Sequence, residues 1–135
     1  MDLVKALDYI RENTNAVLAT ARRDGNPQMS PVTLAVVDDT VVMSTRETAY
    51  KTKNLRRDPR CWLCVFPRSF FGDWVQVQCR AEIISGPAAL EPLVGYYRTL
   101  RGEHPDWDEY RQAMVTDQRC LVKFHLLRAG PDRSG

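Results

Sequence analysis

The sequence has few of the features that mark a metalloprotein, a secreted disulfide scaffold or a membrane protein. Its 135 residues include two histidines and four cysteines. No apolar run approaches the roughly 20 residues that a membrane-spanning helix needs. No basic segment followed by an apolar one, as in a secretory signal, is visible near Met1. We therefore expect a cytoplasmic protein with reduced thiols, no membrane span and no metal site.

The composition that remains is that of one globular domain. Hydrophobic residues make up 44% and charged residues 27%, and a chain of this length can bury a core without disulfides or metals. The net charge of +2 is too small to indicate a nucleic-acid partner by itself. Neither a Ser-His-Asp order nor an HExxH motif is present, and His104 and His125 stand alone, so hydrolase chemistry has no support.

Two of the cysteines have the C-x-x-C spacing of zinc and redox sites. Cys61 and Cys64 fall in the run 60–66, whose apolar residues predict a buried strand. Residues i and i+3 of a strand point to opposite faces, so these thiols are poorly placed to share a metal. Cys79 and Cys120 supply no second pair, and we interpret the cysteines as small core residues.

Hydrophobic periodicity and turn residues predict a mainly β, α+β domain over residues 1–128 with a polar tail at 129–135. Asp24-Gly25 and Asp38-Asp39 predict tight turns between the first three strands. Six mostly antiparallel strands with intervening helices indicate a small closed barrel. The predicted strands are 16–21, 28–37, 41–45, 60–66, 74–84 and 119–127, and the predicted helices are 2–13, 44–57, 88–100 and 107–115.

The segment 44–59 carries the most informative chemistry. Ser44 with Glu47 three residues later fits a capping box at the start of a helix that Pro59 ends, and Thr45 and Thr48 are alternative caps. A helix start favours an anion, and Lys51 and Lys53 could add charge-assisted hydrogen bonds to a phosphate. The alternative is a basic helix that only faces water.

Several motifs, in order, resemble the pyridoxamine 5'-phosphate oxidase-like superfamily, and most closely its actinobacterial branch that binds the deazaflavin coenzyme F420. The similarity runs from Asp2 to about Leu127, and its most specific part is Lys-x-x-Asn-Leu-x-x-Asp-Pro-Arg at 51–60. The other motifs are the Asp-Gly hairpin, Ser-Pro-Val at 30–32, Val-Met-Ser-Thr-Arg at 42–46 and the strand that begins Trp-Val-Gln-Val-Gln at 74–78. This resemblance implies a split β-barrel homodimer with two cofactor sites in grooves at the subunit interface.

The resemblance also implies roles for individual residues. Lys51 matches the phosphate-binding lysine of the family, Lys53 a basic position beside it, and Asn54 the residue that closes the phosphate end. Trp74 lies near the strand that the partner subunit contributes, and Phe70 and Phe71 suit such an interface. The remaining matches are strand residues beside the cofactor: Ser44 and Thr45 at a strand end, and Pro31, Val32 and Thr33 along the ring system. No catalytic residue is implied.

The implied function is hydride transfer between F420 and a small organic acceptor. Five cations between Lys51 and Arg60 favour F420, which carries an oligoglutamate tail, over FMN, which remains the alternative. Haem or no ligand is also open. The sequence lacks the Arg-x-x-Arg segment of pyridoxamine oxidase proper and shows a short tail at 132–135, so we do not expect that reaction.

The sequence leaves two other classes of function open. The same binding residues would serve a carrier that holds a cofactor without turnover. A single-strand nucleic-acid binder could use Arg56 and Arg57 together with the aromatic residues Phe70, Phe71 and Trp74. The low net charge and the family resemblance both argue against nucleic acid.

Overall fold

The computed structural model describes residues 1–131, which form one seven-stranded antiparallel sheet with helices at its ends and on one side. None of the described helices is both long and apolar enough to cross a bilayer. The helices are α1 (Leu3–Glu12), α2 (Tyr50–Arg57), α3 (Leu90–Arg101, preceded by a 3₁₀ turn at Gly86–Ala89) and α4 (Trp107–Thr116). The strands are β1 (Asn15–Ala21), β2 (Pro27–Thr33), β3 (Ala35–Val37), β4 (Thr40–Arg46), β5 (Arg60–Phe66), β6 (Val75–Ile84) and β7 (Arg119–Gly130).

The sheet has seven strands rather than six because the expected strand 28–37 is interrupted at Leu34. Residues before it pair with β1, residues after it pair with β4, and the strand order is β2-β1-β5-β6-β7-β4-β3. The two edge strands are therefore one residue apart in the chain, which requires the sheet to curl until its edges meet. The prediction of a split barrel is confirmed, with this one additional strand.

The turns follow the sequence prediction closely. Gly25 has φ +87°, and its N–H donates to the carbonyl of Arg22 at 2.9 Å, which closes the first hairpin. Asp38 and Asp39 both have positive φ, a conformation that aspartate tolerates better than most residues, and they connect β3 to β4.

The predicted capping box at α2 is wrong. Ser44 remains inside β4, and α2 begins at Tyr50 after Ala49, which offers no side-chain cap. The carboxylate of Glu47 instead accepts a hydrogen bond from Arg56 at 2.6 Å and one from Ser85. Glu47 therefore forms a salt bridge with the last turn of α2, where the sequence predicted a hydrogen bond with the start of the helix.

The core fills the inside of the curled sheet. Phe124, Leu18 and Leu63 are almost fully buried there, and Ala6 and Ile10 of α1 and Leu55 of α2 belong to the same cluster. Burial of each large apolar side chain contributes roughly 1.5–3 kcal/mol. A second cluster, centred on Leu93, Val94, Tyr110 and Leu121, packs α3 and α4 against β3, β4 and β7.

The last strand is longer than expected. β7 continues to Gly130, and Ala129 and Gly130 pair with Val77 and Gln76 of β6. The first residues of the expected tail at 129–135 therefore belong to the sheet. Residues 132–135 lie outside the described part of the chain.

Cys61 and Cys64 lie on opposite faces of β5, as strand alternation predicts. Cys61 is fully buried, and its thiol contacts the carbonyl of Cys79 on β6. Cys64 is half-buried on the outer face, so the interpretation of the cysteines as core residues is wrong for Cys64. Burial raises the pKa of Cys64, and contact with Cys61 together with burial raises the pKa of Cys79. Within residues 1–131, no group of three or more His, Cys, Asp or Glu side chains could hold a metal ion.

Because the two thiols differ in burial, we predict that replacing each by alanine lowers the free energy of unfolding by a different amount. We expect Cys61→Ala to lower the free energy of unfolding by roughly 1–2 kcal/mol, because the thiol fills space in a closed core. The matched change Cys64→Ala, on the outer face, should cost less than about 0.5 kcal/mol. Urea denaturation of both variants measures the difference, and equal losses would contradict the placement of Cys61 in the core.

Candidate functional site

A cavity of about 500 Å³ opens where the curled sheet closes on itself. The register of β1 explains its position: Asn15 lies opposite Thr33 on β2 and opposite Phe66 on β5, so three strand ends meet there. α2 and α3 complete the walls. We call this the Lys51 cavity, and it is lined by Asn15, Ala16, Pro31, Val32, Thr33, Ser44, Lys51, Phe66 and Tyr96.

Lys51 supplies the charge of this cavity. It lies in the first turn of α2, it is half-buried, and its ammonium donates to the hydroxyl of Ser30 at 3.4 Å. Burial lowers the pKa of Lys51, and the nearby Arg119 guanidinium lowers it further. Among the described residues no carboxylate forms an ion pair with this ammonium. A partly desolvated cation without a counter-ion is a favourable site for an anion.

Tyr96 joins the parts of the cavity wall. Its hydroxyl, carried on α3, donates to the carbonyl of Thr33 at 2.8 Å. Burial raises the pKa of Tyr96, while a hydrogen bond from the backbone of Ser44 and the positive charges of Arg119 and Arg101 act in the opposite direction. The phenol therefore stays protonated at neutral pH, and it holds the end of β2 near β4.

The lining combines one cationic end with apolar surface. Pro31, Val32 and Phe66 present carbon atoms, while Ser44 and Lys51 present hydrogen-bond donors. None of the described lining residues carries a carboxylate, an imidazole or a thiol. The arrangement is suited to binding a molecule with an anionic group and an apolar ring, and it offers no obvious acid–base pair.

The structure brings together five of the nine residues that the sequence singled out: Pro31, Val32, Thr33, Ser44 and Lys51. It does not bring Thr45 into the cavity. Ser44 and Thr45 are adjacent on a strand and point to opposite faces, and Thr45 is only 2% exposed. Its hydroxyl accepts a hydrogen bond from the hydroxyl of Thr52 of α2 at 3.4 Å, which connects β4 to that helix.

Lys53 and Asn54 do not line the Lys51 cavity. The ammonium of Lys53 is exposed and lies 5.8 Å from the ring centre of Tyr50. Asn54 is buried, donates to the hydroxyl of Thr20 at 3.1 Å and accepts from Arg57 at 3.2 Å. Lys53 lies about 200° around the helix axis from Lys51 and faces the opposite side of α2. Asn54 lies on the same side as Lys51 but one turn further along the helix, where Thr20 and Arg57 engage its amide.

Trp74 lines a separate cavity of about 410 Å³ on β6 and β7, together with Gln76, Gln78 and Arg128. Within one subunit it does not reach the Lys51 cavity. The resemblance implied that Trp74 contributes to a cofactor site at the subunit interface. That role requires a second subunit and stays a prediction.

The five cations between Lys51 and Arg60 do not form one groove. Arg56 pairs with Glu47 at 2.6 Å, Arg57 donates to the carbonyl of Ala21, and Arg60 pairs with Asp58 at 2.8 Å. Lys51 is the member of this set that lines the cavity. The total charge of residues 51–60 therefore does not indicate a long anionic tail at this site.

Sequence reasoning missed Asn15, Ala16, Phe66 and Tyr96. The first two follow from the predicted antiparallel pairing, because the start of β1 must lie opposite the end of β2. Tyr96 had no comparable signal, because the apolar residues that recur at helical spacing in the predicted helix 88–100 are Leu90, Leu93, Val94 and Tyr97. The two histidines are elsewhere: His104 packs among the rings of Tyr97, Trp107 and Tyr110, and His125 contacts Glu82 at 2.8 Å.

Comparison with solved structures places this fold among known ones. A conserved hypothetical protein from Mycobacterium tuberculosis is 24% identical, with 100% of this chain and 92% of that chain covered and a TM-score of 0.75. An F420 reductase is 16% identical, with 91% and 94% covered and a TM-score of 0.69. HutZ, the heme storage protein from Vibrio cholerae, is 12% identical, with 95% and 92% covered and a TM-score of 0.71. At these identities the similarity shows a shared fold.

The family model described as pyridoxamine 5'-phosphate oxidase matches residues 4–129. The match includes every strand that contributes to the Lys51 cavity. It leaves out only the first residue of α1 and the last residue of β7 among the helices and strands. The chain therefore belongs to the pyridoxamine 5'-phosphate oxidase family.

Proposed function

We propose that the protein is an oxidoreductase that binds a flavin-type cofactor in the Lys51 cavity, with coenzyme F420 as the cofactor. The observation that carries the proposal is the half-buried ammonium of Lys51 beside an apolar wall. The resemblance of the segment 51–60 to the F420-binding branch supports F420, as does the similarity in fold to an F420 reductase. FMN is the alternative, because one ammonium suits the single phosphate of either molecule.

The residues present fit a phosphate at the α2 end of the cavity. The first intrahelical bond of α2 runs from the N–H of Lys53 to the carbonyl of Ala49, so the N–H groups of residues 50–52 precede the hydrogen-bonded part of the helix. Such groups, the helix dipole and an adjacent ammonium together favour a phosphate. The hydroxyl of Ser44 adds a further donor on the same cavity wall.

The chain's own part in the reaction is to bind, orient and exclude water. Lys51 and Ser44 would hold the phosphate, residues 31–33 would support the ring, and Tyr96 would keep the strand ends in place. A reduced deazaflavin, when bound, supplies a hydride to an electron-poor organic acceptor. We assign no catalytic acid among the lining residues, and solvent can provide the proton.

We further propose a homodimer in which the second subunit lies beside the Lys51 cavity. Phe70 and Phe71 are 62% and 83% exposed, and edge-to-face ring contacts connect them to Phe66 in the cavity wall, at 5.6 Å and 4.9 Å between successive ring centres. Exposed aromatic residues of this kind are enriched at subunit interfaces. Trp74 and its cavity would then become part of the interface.

Titration with F420 and with FMN tests the cofactor and the site together. We expect wild-type protein to bind F420 more tightly than FMN, and Lys51→Ala to weaken binding roughly 10-fold to 150-fold, because a charge-assisted contact contributes about 1.5–3 kcal/mol. The exposed Lys53 provides the matched control, and Lys53→Ala should change the affinity less than about 3-fold. Fluorescence titration measures all three proteins.

Each outcome of this titration has a defined meaning. Equal affinities of wild type and Lys51→Ala would contradict the assigned site, and tighter binding of FMN would reverse the choice of cofactor. If F420 binds, oxidation of its reduced form should depend on an added acceptor. Failure of turnover across a broad panel of electron-poor acceptors would favour the carrier over the enzyme.

The lowered pKa of Lys51 predicts a pH dependence of cofactor binding. A phosphate binds the ammonium form better than the neutral amine, so affinity should be highest below the pKa of Lys51 and fall as pH rises through it. Because burial lowers this pKa, the fall should begin at lower pH than for an exposed lysine, within a titration from about pH 7 to 10. Lys51→Arg keeps its charge and should abolish the fall. An unchanged pH profile in that variant would exclude Lys51 as its cause.

Assembly gives an independent test of the proposed interface. Sedimentation equilibrium should give twice the chain mass of 15.5 kDa for wild type. Phe71→Asp should shift the protein toward monomer, because it places a charge in an apolar contact. Val115→Asp alters another exposed apolar residue, on α4, and should leave the dimer intact. A wild-type monomer that still binds cofactor would refute the interface.

A further inference from the structure

A second cavity of about 500 Å³ lies at the turn of the first hairpin and holds an unusual concentration of arginine. We call it the arginine cavity. It is formed by the β1–β2 turn, the residues that follow α2 and the start of β5. Its walls include Arg22, Arg23, Arg57 and Arg60, together with Asp58 and Trp62.

This cavity is distinct from the Lys51 cavity. Ala16 lines the Lys51 cavity and Ala21 lines the arginine cavity, at opposite ends of β1. Five residues of extended strand span about 17 Å. α2 also runs between the two cavities, with Lys51 in its first turn and Arg57 at its last residue, about 9 Å apart along the helix axis. A single phosphate cannot contact both places.

Two of the arginines are held in position by contacts with the chain. Arg57 donates to the carbonyl of Ala21 and to the side chain of Asn54 at 3.2 Å. Arg60 donates through two nitrogens to the carboxylate of Asp58, at 3.1 Å and 2.8 Å, and this pairing lowers the pKa of Asp58 to about 2. A guanidinium has five N–H donors, so both retain donors for a ligand.

The guanidinium groups of the other two arginines make no such hydrogen bonds within the described chain, although the charge of Arg22 adds to the backbone hydrogen bond from Asn26 in lowering the pKa of Asp24. Arg22 and Arg23 form no ion pair with a carboxylate of residues 1–131, and both are exposed. Their backbone is fixed by a tight turn, in which the N–H of Arg22 donates to the carbonyl of Asn26 at 2.8 Å and the N–H of Asn26 donates to Asp24 at 2.9 Å. The hairpin therefore fixes the backbone of both arginines, and their exposed guanidinium groups lie outside the salt bridges of the described chain.

The balance of charge in this region is positive. The four arginines face one lining carboxylate, Asp58, and Asp24 lies in the adjacent turn. Arg80 of β6 is the direct pairing partner of Arg60 and adds a fifth cation beside the cavity. Cations that line one cavity repel one another, and a bound anion relieves that repulsion.

From this placement we propose that the arginine cavity binds a small molecule that carries two or more phosphate or carboxylate groups. Guanidinium forks match the geometry of these groups, and the volume is that of a small-molecule site. The half-buried indole of Trp62 provides a flat apolar wall for the remainder of the ligand. The proposal is independent of the cofactor assigned to the Lys51 cavity.

Calorimetric titration with inorganic triphosphate and with triglutamate at low ionic strength tests the proposal and distinguishes its two possible ligand sources. We expect at least one of them to bind more tightly than inorganic phosphate by about tenfold or more, because several guanidinium groups engage it together. The double variant Arg22→Gln/Arg23→Gln should weaken that binding by at least about tenfold. Binding of neither probe to wild type would overturn the proposal.

Two control variants show whether the probe binds in this cavity or elsewhere on the protein. Lys5→Gln/Arg101→Gln removes the same charge from exposed positions on α1 and α3 and should leave the affinity within about threefold. An equal loss in this control would mean that net charge alone attracts the probe, and it would overturn the proposal. Lys51→Ala should also bind the probe as wild type does, and loss of binding there would assign the probe to the Lys51 cavity and overturn the proposal.

Discussion

The structure depends on a single closure of the sheet at Leu34. The chain leaves β2 at Thr33 and enters β3 at Ala35, so the two edges of a seven-stranded sheet must lie next to each other. Leu34 itself is fully buried, and its N–H donates to the carbonyl of Thr14 at 2.7 Å. Leu34 thus fixes both the curvature of the sheet and the position of the start of β1.

The Lys51 cavity is a direct consequence of this closure. Residues 31–33 approach the cavity from the end of β2. β1 begins and β5 ends at the same place, because Asn15 pairs with both Thr33 and Phe66. The phenol of Tyr96 bonds the carbonyl of Thr33 and therefore ties α3 to the closure. α2 then fills the adjoining space, with Lys51 at one end and Arg57 at the other, so one short helix supports two cationic cavities.

Most of the fold could be predicted from the sequence, because its cues are local. Asp24-Gly25 and Asp38-Asp39 predicted their turns, and the alternation of apolar and polar residues at 74–84 predicted β6, which begins one residue later at Val75. The break at Leu34 could not be seen, since an apolar residue between two strands continues the pattern of a strand. The predicted start of α2 was also wrong. The carboxylate of Glu47 accepts a hydrogen bond from Arg56, nine residues later, and does not cap the start of the helix.

The candidate site could be predicted in part. A motif identifies residue types in order along the chain, and it indicated Lys51 and residues 31–33 as one group, which the structure brings together. It could not tell that Thr45 and Asn54 face the core, because that depends on which side of a strand or helix packs inward. Nor could it show that the cations after Lys51 separate into salt bridges and a second cavity.

The central claim is that the closure of the sheet creates a cofactor site whose phosphate end is Lys51. A crystal structure of the protein with bound F420 tests it most directly. We expect phosphate oxygens within about 3 Å of the Lys51 ammonium and the ring system beside residues 31–33. A cofactor whose phosphate lies elsewhere, including in the arginine cavity, would contradict the account.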